Sequence, residues 1–294
     1  MSNLTPRRKG RRALTLAAIS AASATVLAGC ANEASPKRGW LPAEPGTTNL
    51  TEPITNIWVG AWIAALFIGA LVWGLLIWCV IVYRKRKDDN ELPVQIRYHL
   101  PLELLYTFVP LVMVGVLFFY TVQVQDEITD VSDTPDVNIE VYAKQWAWDF
   151  NYTDENVWDT GDMADLDGTM APAEDLPTLY LPVNKRVEFT LTSRDVIHSF
   201  WVPAFLTKLD MFPQETRTLQ IVPEKEGTYL GKCAELCGEF HAYMLFNVKV
   251  VSEEEYNDHI QSLRDAGREG QLDDSLDRDT TAVWDDLADA NKES

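Results

Sequence analysis

Two apolar runs dominate the first half of the chain. No charged residue interrupts the 31 positions from Pro53 to Tyr83, and none interrupts the 22 from Leu104 to Gln125. A helix needs about 20 apolar residues to cross the hydrocarbon layer, so residues 53–125 are predicted to form a transmembrane helical hairpin. The connection "RKRKDDNELPVQIRYH" carries Arg84, Lys85, Arg86, Lys87 and Arg97. An excess of Lys and Arg in a short loop marks its cytoplasmic side, which sets both outer ends of the hairpin on the other side. Beyond Asp126 the pattern shortens. "VNIEVYAKQWAWDFNY", "TLYLPV", "RVEFTLTSR", "TRTLQIVP", "GTYLGKC" and "MLFNVKVV" are β-branched and aromatic, and several alternate apolar with polar. Such spacing predicts an all-β sandwich or barrel over 126–251. "TDENVWDTGDMADLDGTMAPAEDLP" (153–177) breaks the alternation with eight acids and no base, and reads as a surface loop. From 252 to 294 the sequence predicts a short helix, with Ser252 as N-cap and Glu255 three residues on, followed by a solvated acidic tail.

Charge adds a compartment. The net charge is −19, and the first 29 residues hold five bases and no acid, so their removal leaves −24. Such acidity repels nucleic acid and suits a basic partner. A basic start followed by "ALTLAAISAASATVLAG" reads as an export signal over 1–29, and Leu27-Ala28-Gly29-Cys30 resembles a lipoprotein cleavage box in which Cys30 receives the lipid. Residues 30–52 then form an extracytoplasmic linker.

The segment "KCAELCGEFHAYM" concentrates the chemistry. Two cysteines outside the cytoplasm form a disulfide by default. Here, however, Cys233 and Cys237 stand with His241 and Met244, and a further histidine, His198, lies in "DVIHSFWVP". Thiolates, imidazoles and a thioether select copper or zinc over magnesium or calcium. Tetrahedral zinc would leave Met244 unused, and a single blue copper would leave one thiolate unused. Two coppers bridged by two thiolates would use every donor.

The pattern H…C-x-E-x-C-x3-H-x2-M, with "QWAW" before it, resembles subunit II of haem–copper cytochrome c oxidases over roughly residues 51–251. That resemblance implies a cupredoxin-like Greek-key sandwich carrying the binuclear copper centre CuA. Cys233 and Cys237 would bridge the coppers, His198 and His241 would ligate one each, Met244 would be the weak ligand, and Glu235 would give its carbonyl. The Glu235 side chain would share a magnesium or manganese ion with subunit I. Electrons from cytochrome c would arrive at Trp146, with Trp148 beside it, and oxygen would be reduced in subunit I. Glu103, seven residues before Pro110, would stand at the cytoplasmic mouth of a proton channel. The insertion, the acidic tail and the lipoprotein-type signal depart from the common pattern and resemble actinobacterial forms. Those forms imply a cell-membrane protein joined in a supercomplex to a cytochrome bc complex, with a membrane-bound cytochrome c as donor contacting the insertion. A nitrous-oxide reductase would need a propeller domain for which the chain has no room, a quinol-oxidase subunit would lack the copper ligands, and a copper-delivery protein would not need Glu103 or the tryptophans. His99 is expected at the membrane interface and His259 in solvent; neither is a ligand candidate.

Overall fold

Thr51–Val82 (α1) and Leu100–Thr129 (α2) are unbroken helices of 32 and 30 residues. At about 1.5 Å per residue each exceeds the roughly 30 Å hydrocarbon thickness, and both are long and apolar enough to cross a membrane. Their large side chains, among them Phe67, Trp73, Trp78, Phe108 and Phe118, are exposed. Pro53 sits in the first turn of α1, where its missing N–H removes no helical bond. α2 opens on a reciprocal cap: His99 Nδ1 accepts from the Leu102 N–H at 3.2 Å, and Glu103 Oε1 accepts from the His99 N–H at 2.9 Å. The reciprocity is that of a capping box, with histidine in the usual Ser/Thr place and the glutamate one position later than the usual N3.

The computed structural model describes residues 38–42, 44, 46–85, 92, 94–161 and 176–277. The leader, Cys30, Arg86 and Lys87 of the basic loop, the middle of the acidic insertion and the tail beyond 277 lie outside the described residues. Residues 43–294 form one of two compact units, the other being 1–42.

The β domain is a sandwich of two five-stranded sheets. In one, the order is β3 (Val157–Thr160), β2 (Ala147–Tyr152), β1 (Val137–Lys144), β5 (Val187–Ser193) and β8 (Arg217–Ile221). In the other it is β4 (Thr178–Pro182), β10 (Leu245–Val251), β9 (Gly227–Cys233), β6 (His198–Val202) and β7 (Thr207–Met211). β1 pairs with β5 in parallel, and β10 with β4 likewise; the other pairings are antiparallel. The two-residue period delivers Val187, Phe189 and Leu191 of β5 inward. They meet Trp148, Phe150, Phe200 and Phe246, with the Trp148 and Phe246 rings 4.8 Å apart and those of Phe200 and Phe246 5.1 Å apart. Gly231 lies opposite Phe246 in the β9–β10 register because a Cβ there would fall 2.2 Å from the ring. The hairpin is tied in at both ends: the Val222 N–H donates to Asn49 Oδ1 at 2.8 Å, and Gln220 Nε2 donates to the Asp133 carbonyl at 2.9 Å.

Three expectations need correction. The acidic insertion does not begin as a loop, since its residues 157–160 are β3, paired with β2. The tail is not simply solvated: after α3 (Glu253–Asp265), capped by Ser252 Oγ accepting from the Glu255 N–H, residues 266–277 fold back as a strap over β2 and β3. His259 is half-buried rather than exposed, its ring stacked on Tyr180 at 3.8 Å. The stripe Tyr256, Ile260, Leu263 turns that side of α3 onto the sheet and carries His259 with it.

Candidate metal centre

Two strand ends and one loop assemble the site. His198 begins β6 and Cys233 ends β9, where Phe200 pairs with Cys233. The loop from Ala234 to Met244 then folds over them. It is held by the Ala234 N–H on the Ser199 carbonyl (3.1 Å), the Cys233 N–H on the Met244 carbonyl (3.0 Å), and a 3-10 turn over His241–Tyr243. This returns His241 and Met244 to the two cysteines. The Cys233 and Cys237 sulfurs are 3.9 Å apart, both thiols are free, and both are buried. His198 Nδ1 lies 3.8 Å from Cys233 Sγ, His241 Nδ1 3.5 Å from Cys237 Sγ, and Met244 Sδ 3.9 Å from Cys237 Sγ. The Glu235 carbonyl is 3.2 Å from Cys233 Sγ. The donor atoms of His198, Cys233 and Cys237 fall within 4.8 Å of one another.

Electrostatics favour a thiolate here. Contact with the Cys237 thiol, then His198, outweighs burial and holds the Cys233 thiol down at about 3; the same contact and burial push Cys237 well above the ordinary thiol range. His198 Nε2 faces Asp195 Oδ1 at 2.8 Å. Burial pulls the imidazole down, but Asp195 and Cys233 outweigh it and leave His198 above its usual value. Burial likewise raises Asp195, yet the hydrogen bonds from His198 and from the Gln145 and Val196 N–H groups bring it below the usual carboxylate range. With Nε2 engaged by a carboxylate, Nδ1 is left for a metal, the outer support that ligating histidines usually have.

Residues 137–251 match the family profile described as cytochrome c oxidase subunit II, periplasmic domain. A probable cytochrome c oxidase subunit 2 of Streptomyces avermitilis is 42% identical, over 92% of this chain and 93% of its own length. The chain belongs to the cytochrome c oxidase subunit 2 family. The cytochrome c oxidase subunit 2 of Mycobacterium tuberculosis is 32% identical over 86% of this chain and 82% of its own. The crystal structure of the periplasmic domain of subunit II of Bradyrhizobium japonicum cytochrome oxidase is 29% identical, covering 46% of this chain and 97% of that one at a TM-score of 0.42. As a subunit 2, the chain is part of a haem–copper oxidase, and its two apolar helices with a periplasmic-type domain fit a membrane protein. Within this family the His–Cys–Cys cluster fits a copper site: sulfur and imidazole donors without a carboxylate among them exclude a hard cation.

The two tryptophans of "QWAW" part company in this subunit II. Trp146 lies in the β1–β2 turn, half-exposed, its Nε1 donating to the Cys237 carbonyl at 3.3 Å and its ring edge-on to Phe240 at 4.8 Å. Trp148, expected beside it, is a buried core residue of β2 against Phe200 and Phe246. Glu103 is held in the first turn of α2, in the reciprocal cap with His99. The motif reading passed over three residues. Asp195 supports His198, Gln145 Nε2 donates to the Cys237 carbonyl at 2.7 Å, and Gly238, at φ +129°, makes room for Trp146, whose Cζ2 would lie 3.0 Å from a Cβ. Asp195 stands three residues before a ligand candidate, which was the available signal.

Proposed function

We propose that Cys233, Cys237, His198, His241, Met244 and the Glu235 carbonyl hold a binuclear copper centre, CuA, in the electron-accepting subunit of a proton-pumping terminal oxidase. Electrons from cytochrome c would arrive near Trp146 and leave for haem in subunit I, where oxygen is reduced to water. The bound copper pair would supply one-electron storage shared over two thiolates. The observation that carries this reading is the pair of buried free thiols 3.9 Å apart, each with its own imidazole and one with a thioether. The chain's own residues do the rest. Asp195 orients His198, β6, β9 and the packed loop together hold five side-chain donors, and Trp146 touches the Cys237 carbonyl. A site built this rigidly changes little between oxidation states, which a relay requires.

The same reading assigns the finer roles. Glu235, through its carboxylate, shares magnesium or manganese with subunit I. Glu103 stands at the cytoplasmic mouth of a proton pathway into subunit I. Cys30 carries the lipid after cleavage of residues 1–29, and both termini and the β domain are extracytoplasmic. The donor is the membrane-bound cytochrome c of a cytochrome bc complex in a supercomplex, contacted by the insertion. Deleting residues 162–175, which spares β3, is then expected to weaken co-purification with the bc complex; unchanged co-purification would leave the insertion a spacer. For the metal, the full chain in detergent is loaded with copper and its metal content and EPR spectrum measured. Two coppers per chain and a seven-line hyperfine pattern are expected. One copper with four lines, or zinc alone, would overturn the assignment.

A further inference from the structure

The Trp146 turn is fastened by more than its bonds to Cys237. Asp149, at the start of β2 and 1% exposed, accepts from Lys144 Nζ (2.6 Å) and Thr160 Oγ1 (2.5 Å) on one oxygen and from Arg194 Nε (3.0 Å) on the other. Arg194 is 3% exposed, and its backbone N–H donates to the Ala143 carbonyl at 2.8 Å. Its guanidinium lies over the Tyr142 ring at 3.8 Å, and Nη1 donates to the Asp273 carbonyl (2.7 Å) and Asp277 Oδ1 (2.9 Å). One guanidinium thus joins the hairpin that carries Trp146, the turn that continues into Asp195 and His198, and the C-terminal strap.

The strap reaches this point along a bonded track. The Trp158 N–H donates to the Arg268 carbonyl at 3.1 Å, Arg268 pairs with Asp159, and the Gly270 N–H donates to the Asn156 carbonyl at 2.9 Å. Asn151 then exchanges bonds of 2.8 and 3.0 Å with Leu272. At its end Leu276 walls a cleft of about 500 Å³ together with Gln145, Trp146, Lys144, Arg194 and Asp195. Charge explains why the latch matters. Arg194 and Lys144 share one carboxylate, Asp149, so Asp277 supplies the second negative charge that a buried guanidinium needs. Without it, one carboxylate, Asp149, faces both cations. Among the described residues, no hydrogen bond or ion pair joins the strap to a donor of the metal centre.

We propose that Arg194 and Asp277 are positioning residues for electron arrival: the strap, latched by Asp277 onto Arg194, holds the Trp146 turn against the Cys237 carbonyl. The inference rests on the reading of Trp146 as the point where electrons arrive. The step is a one-electron transfer in which the reduced cytochrome c is oxidised at this edge and the centre held by Cys233 and Cys237 would be reduced, with no bond made or broken. The test compares intact oxidases carrying Asp277→Asn, Asp277→Glu, Trp146→Phe and the Asp277→Asn/Trp146→Phe pair. The readouts are turnover with reduced cytochrome c, turnover with a small-molecule reductant, the copper EPR spectrum, and hydrogen exchange of amides 144–149 in the full chain. Asp277→Asn is expected to speed that exchange and lower kcat/KM for the cytochrome by about fivefold, within the range by which residues touching neither site alter coupling. The copper spectrum and turnover with the small reductant stay as in wild type, Asp277→Glu recovers the rate, and the pair is no slower than Trp146→Phe alone. Unchanged exchange and turnover in Asp277→Asn, or losses that add in the pair, overturn the proposal. If Trp146→Phe leaves cytochrome turnover intact while Asp277→Asn still loosens the turn, the reading of Trp146 is what fails.

Discussion

Replacing His259 with phenylalanine keeps a ring on Tyr180 and removes a proton site. Burial, then Lys249 and Arg268, pushes the His259 imidazole down from 6.5 to about 4. Its ring is stacked on Tyr180 of β4 and edge-on to Tyr152 of β2 at 5.9 Å. The native state therefore refuses a proton that the unfolded chain accepts between those two values. Stability from this group is complete above about pH 6.5 and falls as pH drops towards 4. At about 1.4 kcal/mol per unit the full shift corresponds to about 3 kcal/mol, and solvent screening of a half-buried ring reduces it to about 1–2 kcal/mol. Urea unfolding of the β domain, followed by tryptophan fluorescence in the detergent-solubilised full chain, reads this out. Between about pH 7.5 and about pH 4.5 the wild type is expected to lose about 1–2 kcal/mol more than His259→Phe. Asp159, pushed up by burial, and Asp195, held down by His198 and backbone N–H groups, titrate in both proteins and cancel in the difference. Equal pH dependence in the two proteins would refute the reasoning.

Gly231→Ala forces a Cβ to 2.2 Å from the Phe246 ring, and overpacking of this kind is expected to destabilise the β domain by about 1–3 kcal/mol in the same urea assay, relieved in part by Phe246→Leu. Asp195→Asn removes the carboxylate from His198 Nε2, so a chelator-competition titration is expected to show copper affinity reduced about 10- to 100-fold with the fold intact. Gly238→Ala combines a strained φ of +129° with a contact at 3.0 Å on Trp146. Turnover with cytochrome c is expected to fall while turnover with a small reductant holds, and equal turnover with both would show that the indole had not been displaced.

The hairpin was legible because uncharged runs of 31 and 22 residues have few alternative uses, and the donor set because five donors lie in two short motifs. Strand order was not. β1 pairs in parallel with β5, some 50 residues away, and no local pattern names such a partner. "QWAW" shows two tryptophans of one spacing, but Trp146 sits in the turn before β2 begins while Trp148 points from the strand into the core. The strap was hidden for a different reason. Its anchors are polar, Arg268 on Asp159 and Leu272 on Asn151, and an acidic stretch with few apolar residues reads as solvent-facing. His259 was misjudged because its burial depends on Tyr180, which belongs to another element.

β3 is the outer strand of its sheet, and its free edge is met by Glu269 and by the Arg268 carbonyl, from a segment about a hundred residues further along the chain. An outer strand left bare is a template for pairing with any other chain. If the chain is threaded across the membrane from its N-terminus, this edge emerges well before the residues that cover it. The sandwich is then sealed only when its closing seam has been delivered, and the interval before that is when a quality-control protease or a neighbouring copy has its opportunity.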